Sequence, residues 1–102
     1  MEFTYMIEHV SPQFILMPEI HLKIGMTQKL MGKNPEAIKH FYEAIKLKKD
    51  YVAAYTYIID FFKENRNYKG AIEIAQRGLR YSPNSELLKK KLAELQALSG
   101  AK

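Results

Sequence analysis

Cysteine is absent from the chain, which excludes disulfide frameworks, thiol catalysis and cysteine-based zinc or iron–sulfur sites together. The redox compartment stays open on this ground, because a cysteine-free chain persists in either. Long apolar runs are also missing. The longest, residues 14–18, holds five residues, against the ~20 that a membrane-spanning helix needs. No basic segment precedes a hydrophobic one near residue 1, so neither a signal peptide nor a membrane span is expected, and the chain reads as soluble. Glycine and proline are sparse, at five and four in 102 residues, too few for a collagen-like or low-complexity chain.

What is present has the balance of one globular domain: 47% hydrophobic and 26% charged residues. Lysine and arginine exceed aspartate and glutamate by sixteen to eleven, giving a net charge of +5. A polyanionic partner is conceivable on that excess. The excess gathers in two groups, Lys46, Lys48 and Lys49 at one helix end and Lys89, Lys90 and Lys91 near the start of another. Cations in a last helical turn answer the helix dipole, and such runs ordinarily form solvated faces.

Apolar residues recur at three- and four-residue spacing throughout, so every long segment reads as a helix. Phe3, Met6, Ile7 and Val10 form a first short stripe, ended by Ser11-Pro12. A second helix should begin at Pro18 and stop at Gly32, the residue best able to take a left-handed C-terminal conformation. Asn34 reads as the N-cap of a third, with Pro35 in its first turn and Ala37, Ile38, Phe41, Ala44 and Ile45 on one face. A fourth spans 52–64, turned by Asn65-Arg66-Asn67, and a fifth spans 68–81, stopped by Ser82-Pro83. Ser85 caps a sixth, with Leu88, Leu92, Leu95 and Leu98 on one side and fraying expected at Ser99-Gly100. The fold class is all-α, with about six helices.

Laying the chain over itself so that Ile24 falls on Ile58 also superposes Lys29 on Lys63, Ala37 on Ala71 and Ile38 on Ile72. The first copy reads His21, Ile24, Gly25, Gln28, Ala37, Phe41, Ala44; the second reads Tyr55, Ile58, Ile59, Phe62, Ala71, Ala75, Gly78, Pro83. A helix pair with these residues and this period, about 34 residues, resembles the tetratricopeptide repeat. The resemblance implies a right-handed α-solenoid of antiparallel hairpins within one domain, 1–102. In it, 1–11 is a half-repeat helix, 12–17 a linker, 18–51 and 52–85 the full repeats, and 86–99 a capping helix. Gly25 and Ala37 suit a close helix crossing. Ile59 stands where glycine is usual, and the small Ala75 and Gly78 are expected to make room for it.

No catalytic arrangement is legible. The three histidines are scattered, and no phosphate-binding, nucleophile-elbow or zinc-protease motif occurs, so no enzyme activity, cofactor or metal is expected. A metal site at His9 and His21, with Glu19 nearby, is not expected either; His21 stands where the family places a bulky aromatic, and His40 falls on the polar face of its helix. The aromatics from Tyr51 to Tyr68 are expected to fill the core rather than to stack on bases.

The resemblance implies instead a non-enzymatic scaffold that binds a peptide or helical segment of a partner protein in a concave groove. Carried over residue by residue, that groove comprises Glu19, Leu22, Lys23, Met26, Lys29 and Leu30, then Ala53, Thr56, Tyr57, Asp60, Lys63 and Glu64, with Lys90 and Lys91 on the capping helix. Members that clamp a terminal carboxylate use lysine and asparagine where Leu22 and Met26 stand, so that subclass is not expected here. The stripe Leu22, Met26, Leu30 calls for a cover: a partner's segment, residues 14–17 folding back, another copy of the chain, or packing on the first short helix. A nucleic-acid or anionic-surface binder using the lysine clusters is the alternative function.

Overall fold

A computed structural model describes residues 17–100, and these contain five α-helices and no strand. They are α1 (Pro18–Leu30), α2 (Asn34–Leu47), α3 (Val52–Glu64), α4 (Tyr68–Tyr81) and α5 (Glu86–Ser99). The helix expected near 3–10 and the linker up to residue 16 lie outside the described residues, as does His9. The chain divides into two compact units, one ending at Lys48 and the other beginning at Lys49. No described helix is long and apolar enough to cross a membrane.

The first unit holds the hairpin of α1 and α2. Pro18 opens α1 at a position where its missing N–H costs nothing. The helix closes in a Schellman motif: Gly32 takes φ 79°, its N–H donates to Lys29 O, and the Lys33 N–H donates to Gln28 O at 2.8 Å. Asn34 does not cap α2. It is already helical, Lys33 holds the cap position, and no side chain accepts a hydrogen bond there. Pro35 alone in the first turn, lacking a donor, leaves fewer orphan N–H groups to satisfy. Ile20 and Gly25 from α1 pack with Ala37, Phe41, Ala44 and Ile45 from α2. At the crossing, a Cβ on Gly25 would stand 2.6 Å from the Phe41 ring, so only glycine fits.

The second unit repeats this hairpin and adds a helix. Each bound of α3 and α4 falls one repeat period after its counterpart: Val52 after Pro18, Glu64 after Leu30, Tyr68 after Asn34, Tyr81 after Leu47. Glu86 opens α5 one further period after Val52. The turn repeats as well, with the Arg66 N–H donating to Lys63 O and the Asn67 N–H to Phe62 O. Arg66 stands at φ 62° where the first hairpin has Gly32. Asn67 caps α4 through Gly70 N–H at 3.0 Å, and Ser85 caps α5 through Leu88 N–H at 3.2 Å.

Tyr55, Ile58 and Ile59 of α3 form the centre of this unit with Ala71, Ile74 and Ala75 of α4, and Leu88 and Leu95 of α5 complete it. Gly78 is buried against side chains of both α3 and α5. Its open face is filled by the Tyr55 ring and Leu88, 3.1 and 2.9 Å from where a Cβ would sit. Leu98 also departs from the expected buried row, being 53% exposed.

Candidate functional site

The residues expected to recognise a partner fall on α1 and α3, and each helix is taken in its own unit. On α1, Glu19 and Lys23 are exposed, whereas Leu22 and Lys29 are half-buried. Met26 and Leu30 are exposed, Leu30 at 89%, and Met31 beside it is exposed too. The α1 stripe therefore presents thioether and leucine surface at its C-terminal end, where a solvated helix would carry charge.

On α3, Thr56 turns its hydroxyl inward, donating to Ala53 O at 2.6 Å, and Tyr57 is half-buried. Asp60 and Lys63 come together. With Glu64, Tyr68 and Leu98 they line an open hollow of about 380 Å³ between the end of α3, the start of α4 and the end of α5. Thr56 and Tyr57 do not line it. Asp60 also receives Lys91 from α5, Nζ to Oδ1 at 3.4 Å, which ties the wall of the hollow to the last helix. The sequence reading gives Tyr68 to the core and Leu98 to the apolar side of the last helix, so neither is expected at a binding site. The spacing of Leu98 matches the buried row, yet the residue is 53% exposed.

The remaining ionisable residues of note are inside the helix pairs. His21 of α1 and His40 of α2 meet across the first hairpin, with Nδ1 to Nδ1 at 3.1 Å and ring centroids 5.3 Å apart at 26°. His40 is thus not on the solvent face its helix pattern suggested; both rings are half-buried. Burial and, secondarily, the neighbouring His21 hold the His40 pKa below its ordinary value, against a weaker opposing pull from Glu43. Tyr55, which aligns with His21 in the repeat register, instead donates its phenol hydrogen to Lys49 O at 2.8 Å. Burial pushes its pKa up.

Among the described residues, no three histidine, aspartate or glutamate side chains gather so as to hold a metal ion. Three of the clustered lysines already face carboxylates: Lys46 meets Glu43 at 3.8 Å, Lys89 meets Glu86 at 3.9 Å, and Lys91 meets Asp60. The chain matches no protein-family model, and no curated protein matches it significantly.

Proposed function

We propose that the chain is a tetratricopeptide-type scaffold without catalytic activity, which holds a segment of a partner protein against the first helices of its hairpins. The hollow of Asp60, Lys63, Glu64, Tyr68 and Leu98 carries this reading. An aromatic and a leucine surrounded by charges of both signs match the anchor-and-rim composition of protein-binding surfaces. Small-molecule sites are mostly apolar and enclosed, whereas this one is open and three of its five lining residues are charged. It suits one apolar side chain of a polypeptide flanked by an acidic residue that pairs with Lys63. Met26 and Leu30 on α1, with Met31 just after it, offer a second adhesive strip of the adaptable kind that methionine provides.

The reading as a polyanion binder is weaker, because Lys46, Lys89 and Lys91 each face a carboxylate of the same chain. The test is site-directed photo-crosslinking. A crosslinking residue at Lys63 is expected to trap a discrete protein, and the same residue at the exposed Glu73 of α4 to trap none. Lys63→Glu and Leu98→Asp should each weaken capture of that protein at least about tenfold, or 1.4 kcal/mol. Capture that ignores both substitutions, or binding whose affinity falls steeply with salt on nucleic acid, would contradict the proposal.

A further inference from the structure

We propose that His21 and His40 form a two-nitrogen seat for a divalent transition-metal ion of the imidazole-preferring group (zinc, nickel or copper), which ties α1 to α2. Three observations carry the inference. The ligands come from two different helices, so the framework of the hairpin fixes their separation rather than one flexible segment. Their Nδ1 atoms stand 3.1 Å apart. With metal–nitrogen bonds of about 2.0–2.1 Å, that separation corresponds to a ligand–metal–ligand angle of roughly 100°, between the square-planar and tetrahedral values. Finally, both residues are half-buried, sheltered from full hydration yet reachable.

Metal-free, the pair is held by one proton, with the Nδ1–H of one ring donating to the bare Nδ1 of the other. On metal binding that proton moves to Nε2 of its own ring through solvent. Both Nδ1 lone pairs are then free for the ion, and no net proton is released. Glu43, three residues beyond His40, is already opposite Lys46 and is not placed as a third ligand. Water therefore completes the coordination shell, and the ion exchanges readily, unlike a closed four-ligand structural zinc. Tyr55 and Ile74 stand at the corresponding places one period on, so the second hairpin has no such seat.

The experiment is a titration of the intact protein with ZnCl2 at pH 7.5, followed by the imidazole resonances in NMR spectra. The chain has three histidines, so each is observed separately. The signals of His21 and His40 should move together and saturate at one ion per chain, while those of His9 stay in place. His21→Asn and His40→Asn, checked for retained helicity, should each weaken zinc binding at least about tenfold. Zinc should also raise the thermal midpoint of the wild type but of neither variant. Unmoved His21 and His40 signals at about 1 mM zinc, or movement confined to His9, overturns the proposal. Wild-type affinity in a folded His40→Asn protein does so too. Should either variant fail to fold, the wild-type spectra decide alone.

Discussion

At the crossing of the first hairpin a small residue on the leading helix meets a large one on the returning helix, Gly25 against the Phe41 ring. One period later the sizes are exchanged. The leading helix carries Ile59, the returning helix Ala75, and both are buried. Helix bounds and turns match between the hairpins, so two distributions of volume support one backbone plan. Close packing demands that the space at a crossing be filled without excess, and it does not prescribe which helix supplies the bulk. The same comparison separates His21, which reaches across to His40, from Tyr55, which closes on the Lys49 carbonyl.

The largest effect should come from removing α5, which packs on the second hairpin. Ending the chain after Pro83 strips the cover from the core that Leu88 and Leu95 complete. At about 1.5–3 kcal/mol per buried leucine this costs roughly 3–6 kcal/mol, an upper bound that is comparable with a small domain's whole stability. Calorimetry of the truncated chain should show no cooperative transition for the second unit, and a retained transition would deny α5 its covering role. Next, Gly25→Ala should destabilise the first hairpin by about 1–3 kcal/mol, because the new methyl collides with the buried Phe41 ring. An unchanged urea midpoint would mean that the ring is free to move aside.

A smaller and opposite effect is expected at the turns. Arg66 occupies the left-handed position that Gly32 fills in the first hairpin. Arg66→Gly should relieve that strain and stabilise the protein by about 0.5–1 kcal/mol, net of the entropy that glycine returns to the unfolded chain. Gly32→Ala should do the reverse. The smallest effect concerns pH. Since the folded state holds the Tyr55 proton more tightly than the unfolded state does, its contribution is complete below about pH 10 and declines as pH rises through the elevated folded value. Alkaline unfolding followed by circular dichroism should therefore be less steep in Tyr55→Phe.

Much of this fold was legible because its signals are local. Pro18, Gly32, Ser85 and the Asn65-Arg66-Asn67 turn mark boundaries through backbone chemistry, and the bounds of α3 and α4 follow from them. Asn34 misled because an N-cap needs a particular side-chain geometry, which Pro35 and the preceding turn do not supply. Within Asn65-Arg66-Asn67, asparagine is the commoner left-handed residue, yet the Schellman hydrogen bonds require that conformation at Arg66. The candidate site was legible only in half. Asp60, Lys63 and Glu64 were reached through the family resemblance, whereas Tyr68 and Leu98 join them by the convergence of three helices. The His21–His40 pair spans 19 residues and depends on the rotation of one helix against the other, which no single-helix pattern encodes.

The exchange of bulk at the crossing is tested most directly by a double-mutant cycle at Ile59 and Ala75, read by urea unfolding. Ile59→Gly and Ala75→Phe should each destabilise the protein, one by loss of packing and the other by overpacking. Combined, they recreate the first hairpin's arrangement and should recover at least about 1 kcal/mol relative to the sum of the two. Strict additivity would contradict the account, since the two positions would then not share one space.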